Sequence, residues 1–71
     1  QEAAVPPEFV CPISSEIMED PVVAADGNSY ERASITAWFE KNLTSPLTNQ
    51  PMPTKMLFPN YALRSQIVEW V

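Results

Sequence analysis

The sequence predicts an α+β domain: a short three-stranded antiparallel sheet, a central helix, two long ordered loops and a closing helix. Three observations predict it. Residues 20–39 read as a tight hairpin that feeds directly into an amphipathic helix. Two proline-bearing irregular segments flank that unit and need something to pack against. A helical apolar period then returns at the end of the chain.

Taken in order, residues 1–6 are a polar, flexible lead-in, and residues 7–71 form the domain. Phe9-Val10 is the first apolar anchor. Pro12 fixes its own φ and biases Cys11 away from helix. Ser14 or Ser15 then caps a single helical turn that carries Ile17 and Met18 inward. Residues 21–25 are a short apolar strand, Asp26-Gly27 supplies the two positive-φ positions of a type I′ turn, and residues 28–30 return as the second strand. Beyond Tyr30 the period is helical, with Ile35, Trp38 and Phe39 on one side. Glu31 in the first turn and Lys41 in the last complement the helix dipole.

Residues 42–55 form the second irregular segment and contain Pro46, Pro51 and Pro53. A loop this long in a compact domain is disordered or functional. Its prolines restrict the unfolded chain and so favour an ordered loop. Met56-Leu57-Phe58 is expected as the third strand. Asn60 is the N-cap of a last helix in which Leu63, Ile67, Trp70 and Val71 recur on one face as a lid on the core. The sequence shows no internal repeat.

At 71 residues this is one small domain. A core of that size supplies about 3–5 kcal/mol, so small folds usually add disulfides or a metal. A single cysteine and no histidine exclude an internal disulfide and a zinc site of the Cys/His type, and no cofactor is expected. The absence of paired cysteines fits a reducing, intracellular compartment, cytoplasmic or nuclear. Asn42-Leu43-Thr44 matches a glycosylation acceptor, but such triplets arise often by chance. The net charge of −5 argues against a nucleic-acid backbone and leaves a basic protein surface as a partner. No apolar run approaches the roughly 18 residues of a membrane span, and no signal-peptide pattern is present. The abrupt start and end point to a piece of a longer protein.

Without histidine, the usual general base and the Ser-His and Cys-His nucleophile pairs are ruled out. One glycine excludes a glycine-rich phosphate cradle. Glu19 and Asp20 are adjacent carboxylates that read as a solvated loop. Cys11 is the one candidate for a thioester-forming nucleophile. Its apolar setting between Val10 and Pro12 should raise its pKa, and a buried structural role is the expectation. What remains is a binding platform.

The ordered set Cys11-Pro12-Ile13-Ser14, Asp20-Pro21-Val22, Gly27, Tyr30-Glu31-Arg32, Ile35, Trp38, Ser45-Pro46-Leu47-Thr48 and Pro59-Asn60-Tyr61-Ala62-Leu63-Arg64 resembles a U-box. The U-box is the metal-free relative of the RING domain of ubiquitin ligases, and the resemblance covers residues 7–71. It implies a RING-like fold in which hydrogen bonds and salt bridges between two loops, residues 9–20 and 42–55, replace zinc on either side of a helix over 31–42. Candidate members of that network are Glu16, Glu31, Arg32, Ser45, Thr48 and Asn60.

The resemblance also implies a ubiquitin-protein transferase that acts as a scaffold, with no covalent or acid–base residue of its own. It would bind a ubiquitin-loaded conjugating enzyme in a shallow groove between the loops and the helix and promote transfer to a lysine of a protein substrate. By position, the contacts are Ile13, Trp38 and Pro46. Ile13, between Pro12 and two serines, is poorly shielded by its neighbours. Trp38 and Phe39 lie about 100° apart on a helix, so both need not point inward. Two positions depart from the pattern. Ser15 stands where relatives often carry a large apolar residue, and Asn49 stands where many such ligases place a cation that steadies ubiquitin. The alternative is a non-catalytic interaction module of the same fold, with a second copy as partner if it dimerises.

Overall fold

A computed structural model describes residues 5–71. Of the expected flexible lead-in, residues 1–4 lie outside the described residues. Pro6 is tied down, its carbonyl accepting a hydrogen bond from the Phe9 N–H at 3.0 Å. That bond opens a single 3-10 turn, Pro7–Phe9, with proline at its start, where a missing N–H costs nothing. The turn delivers Phe9 into the core.

Three short strands follow: β1 (Pro21–Val23), β2 (Ser29–Glu31) and β3 (Phe58–Pro59). They form one antiparallel sheet in the order β2-β1-β3. Val22 sits at its centre, opposite Tyr30 on one side and Pro59 on the other. Proline is tolerated on β3 because that strand is an edge. The expected strand at 56–58 is displaced. The Thr54 hydroxyl accepts from the Met56 N–H at 3.2 Å, so a local turn delays pairing until Phe58.

The hairpin differs from a type I′ turn. Ala24 receives the Gly27 N–H at 3.0 Å and donates its own N–H to Asn28 at 3.0 Å, which leaves three loop residues. Gly27 alone has positive φ, at 83°, while Asp26 is not left-handed. This is the three-residue loop in which a turn is closed by a left-handed glycine.

The central helix α1 spans Arg32–Phe39. Ile35 and Phe39 enter the core one turn apart, and Trp38 is half-buried beside them. Glu31 lies outside the helix, as its N-cap in extended conformation, and Lys41 lies beyond its last turn. Neither therefore acts on the helix dipole from within a terminal turn. The last helix α2 spans Tyr61–Trp70, and the Asn60 carbonyl oxygen accepts from the Leu63 N–H at 3.1 Å as the cap. Ile67 is its buried residue, and Trp70 meets Phe9 edge-on with ring centroids 6.0 Å apart. Val71, expected on the same inward face, is 82% exposed. Tyr30, Met18, Ile35 and Val22 are the largest fully enclosed side chains.

Among the described residues no group of three or more His, Cys, Asp or Glu side chains could hold a metal ion. Ile35→Ala, which empties a fully enclosed site, should cost about 3 kcal/mol. Against a total of about 3–5 kcal/mol this brings the domain to the edge of unfolding. Thr36→Ala on the exposed face should stay within about 0.5 kcal/mol. Urea titrations of both variants check the contrast.

Candidate functional site

Two loops flank α1, and the structure shows that they are copies of one another. In the first, an isolated bridge joins Val10 and Ile17; in the second, one joins Thr44 and Pro51. Inside the first, Cys11 N–H donates to Glu16 O at 2.9 Å, Ser15 N–H to Cys11 O at 2.8 Å, and Met18 N–H to Phe9 O at 2.8 Å. Inside the second, Ser45 N–H donates to Gln50 O at 2.8 Å, Asn49 N–H to Ser45 O at 2.8 Å, and Met52 N–H to Leu43 O at 2.9 Å. Every pair is offset by 34 residues.

The side chains follow the same rule. Ser14 Oγ accepts from Glu16 N–H and Thr48 Oγ1 from Gln50 N–H, each at 3.3 Å. Ser15 and Asn49 are the non-glycine residues with positive φ, at 62° and 63°. Ser45 Oγ accepts from the N–H groups of Leu47 and Thr48 at 3.2 and 3.1 Å. At the equivalent place in the first loop, the backbone N–H groups of Ile13 and Ser14 help to lower the Cys11 thiol pKa. The sequence shows no repeat because only Pro12 and Pro46 are identical between Cys11-Pro12-Ile13-Ser14-Ser15-Glu16 and Ser45-Pro46-Leu47-Thr48-Asn49-Gln50. The expected helical turn after Ser14 is also absent, since a left-handed Ser15 cannot continue a helix. Met18 is nonetheless fully buried and Ile17 half-buried.

Each loop is fastened to the hairpin–helix unit by one carboxylate. Glu31 holds the first: its carboxylate accepts from Glu19 N–H at 2.6 Å and Asp20 N–H at 3.2 Å, while its own N–H donates to Cys11 Sγ at 3.3 Å. Arg32 adds an ion pair, Nε to Asp20 Oδ2 at 2.7 Å, with both side chains over 40% exposed. At that exposure it is worth about 0–1 kcal/mol. Asp26 holds the second loop. Its Oδ2 accepts from Tyr30 Oη at 2.6 Å and from Ser45 Oγ at 2.7 Å, and its Oδ1 accepts from Asn28 N–H at 3.0 Å. Asn60, besides capping α2, donates to Ser29 Oγ at 3.2 Å. Of the other expected members, Thr48 bonds only within its own loop, and Glu16 contributes its backbone while its side chain is exposed. Sequence reasoning missed Asp20, Asp26 and Tyr30. Tyr30 carried a signal, because a buried phenol needs a partner for its hydroxyl.

These bonds shift the titrations. Burial works against the Asp26 carboxylate, but the Tyr30 and Ser45 hydroxyls and the Asn28 N–H outweigh it and hold its pKa below the ordinary value. Burial and the facing Asp26 push the Tyr30 phenol up to about 12. At Cys11 burial pushes the thiol up, yet the N–H groups of Glu31, Ser14 and Ile13 bring the net pKa below its usual value, opposite to the expectation from its apolar neighbours. Its burial is complete, at 0% exposure.

Ile13 is half-buried and packs on the margin of the core. Trp38 is half-buried too, and its Nε1 donates to Thr44 O at 2.7 Å, which ties α1 to the second loop just ahead of Pro46. Pro46 is half-buried, whereas Ser15 and Asn49 are exposed. Leu47, equivalent to Ile13 in the second loop, is 53% exposed; its signal in the sequence was the matching Pro-Ile and Pro-Leu pairs. Three concavities lie away from these residues: about 460 Å³ between the first loop and α2, about 260 Å³ beside Phe39 and Leu57, and about 300 Å³ around Glu16, Glu19 and Glu31. Ile13, Trp38 and Pro46 are thus each an apolar side chain left partly open to solvent.

A U-box domain model matches residues 5–71. The chain is 58% identical over 66 residues to the WD repeat, SAM and U-box domain-containing protein 1 of Danio rerio, covering 92% of this chain and 14% of that protein. It is 54% identical over 68 residues to U-box domain-containing protein 36 of Arabidopsis thaliana, covering 93% and 16% respectively. The Homo sapiens WD repeat, SAM and U-box domain-containing protein 1 is 44% identical over 70 residues, covering 97% and 15%. The chain thus spans a small part of the length of each of these relatives.

The Asp26–Tyr30 bond predicts a pH dependence with two edges. Asp26, with a depressed folded pKa, contributes stability above its unfolded value near 3.8, lost as pH falls through the folded pKa. Tyr30, with a raised one, contributes stability below its unfolded value near 10, lost as pH climbs towards about 12. The stability difference between the domain and Tyr30→Phe should therefore shrink between those two pH values, as followed by urea midpoints.

Proposed function

Since the chain belongs to the U-box family, we propose that it is a ubiquitin ligase module that binds a ubiquitin-loaded conjugating enzyme and promotes transfer to a substrate lysine without a covalent intermediate. The observation that carries this reading is the pair of equivalent loops fastened on either side of α1, which leaves Ile13, Trp38 and Pro46 half-buried. Ile13 and Trp38 pack against the core and the Pro46 ring is rigid, so little side-chain entropy remains to be lost on docking. In this reading Ile13, Trp38 and Pro46 anchor the conjugating enzyme, Ser15 contributes a smaller contact, and Asn49 faces ubiquitin. The rate gain comes from restricting the motion of the loaded thioester. An intracellular location, cytoplasmic or nuclear, belongs to the same proposal. The test is discharge of ubiquitin from a panel of loaded conjugating enzymes onto free lysine; a domain that accelerates none of them is not a ligase module.

A second reading, a non-catalytic interaction or dimerisation module, draws on the exposed Val68 and Val71 beside the apolar hollow between α2 and the first loop. Sedimentation together with an inert discharge assay would favour it.

Ile13 packs on the core margin, so Ile13→Ala should cost about 1–2 kcal/mol of stability, less than a full core truncation. Binding to the conjugating enzyme should weaken by a further 1–2 kcal/mol or so, measured by calorimetry below the unfolding range. Asn49→Arg tests the ubiquitin-facing position. A forked, charged side chain could bond ubiquitin and the conjugating enzyme together. We expect roughly three- to tenfold faster single-turnover discharge, with unchanged binding to the unloaded enzyme. Because φ at this position is 63°, arginine should also cost about 1 kcal/mol of stability. An unchanged or slower discharge rate removes the assigned role.

A further inference from the structure

The last helix carries more apolar surface than the core takes up. Leu63 and Ile67 pack against the core, and Trp70 meets Phe9. Beside that inward face, Arg64, Ile67, Val68 and Val71 recur at i, i+3, i+4 and i+7, which sets a second stripe along α2. Val68 and Val71 on this stripe are 68% and 82% exposed. Ile17 and Met18 of the first loop face them, and between the two walls lies the hollow of about 460 Å³. Ligand pockets commonly span roughly 300–1,000 Å³.

The hollow continues past the first loop. Ile17 and Glu19 line it and also the neighbouring hollow of about 300 Å³, which Glu16 and Glu31 border as well. Three carboxylates against the one guanidinium of Arg64 make the joint surface acidic. At Glu16 and Glu19 the fold does not require this charge. Glu16 serves its loop through its carbonyl, which accepts from Cys11 N–H, and Gln50 does the same for Ser45 without a charge. Glu19 binds Glu31 through its N–H. Both side chains are exposed, and the equivalent loop, residues 42–55, contains no acidic residue.

We infer that this joint surface receives a cationic amphipathic helix of a partner protein. It lies along α2 with its apolar side chains in the hollow and its lysines or arginines over Glu16 and Glu19. A helix fits because the α2 stripe offers ridges at the spacing into which a second helix packs. A second copy of this chain fits less well. It would bring a net charge of −5 to an acidic surface, and on its own α2 Arg64 is offset by Glu69. Ile13, Ser15, Trp38, Pro46 and Asn49 line neither hollow, so the inference does not rest on the ligase reading.

The probe is a labelled synthetic peptide of about 14 residues, four helical turns, with leucine at i, i+3, i+4 and i+7 and lysine and alanine elsewhere. Fluorescence anisotropy at about 0.15 M salt follows its binding to the domain. We expect saturable binding of this peptide and none of its counterpart with glutamate in place of lysine. Val68→Ser, an exposed change between residues of similar helix propensity, should weaken binding roughly tenfold. Glu16→Gln and Glu19→Gln should each weaken it roughly threefold. Glu40→Gln, the same change of charge at the C-terminal end of α1, should leave it within about 1.5-fold. Equal losses at Glu19 and Glu40, or an unchanged affinity in Val68→Ser, would reduce the binding to general charge attraction. A dimer in sedimentation that Val68→Ser dissolves would give the hollow to a second copy. Either result, or the absence of saturable binding, overturns the inference.

Discussion

Long irregular loops in a 71-residue domain carry many backbone N–H groups that no helix or sheet will satisfy. In this fold the acceptors are few and placed at the heads of the loops. Ser45 Oγ gathers the N–H groups of the turn that follows, Cys11 Sγ accepts from the Glu31 N–H, and the carboxylates of Glu31 and Asp26 bind the loops to the hairpin. Everything else in the site depends on this. The apolar edges of Ile13 and Pro46 are presented at fixed positions only because the turns that carry them are closed from within. A carboxylate taking two or three donors gains most where water is scarce, which is why these anchors sit at half-buried junctions.

Much of the plan was legible in the sequence because it follows from periodicity and local chemistry. The hairpin, the helix with Ile35 and Phe39 inward, the Asn60 cap and the buried Ile67 all express rules that need only near neighbours. The order of the motifs likewise carried the family. The misses share a cause. The turn at Asp26-Gly27 has one left-handed residue because the loop holds three residues, closed by Gly27, and the Asp26 side chain reaches beyond it to Tyr30 and Ser45. Glu31 was expected to serve the helix, yet its carboxylate is drawn back to Glu19 and Asp20. β3 begins late because Thr54 turns the chain first.

The repeat was the deepest of these omissions. Repeats are recognised in sequence by identity, whereas these loops preserve only function at each place: a small acceptor, a proline, an apolar edge, a hydroxyl and a left-handed residue. Sulfur stands at the first place in one loop and oxygen in the other, serine and threonine at the fourth. Chemical equivalence at fixed spacing was present on the page, but hydrogen bonding had to be seen before it could be read as structure.

The left-handed places bear on what the site can be. Ser15 and Asn49 occupy a conformation that glycine adopts freely and that asparagine tolerates through its short polar side chain. A large apolar residue at 15 or a long cation at 49 would strain the turn that holds it. In this chain the backbone requirement prevails at both places. The loops keep their closed turns, with Ser15 and Asn49 exposed at their tips and Ile13 and Pro46 half-buried beneath them. Under the ligase reading, affinity and rate are then limited at the tips of the loops, while the edges beneath them are already in place.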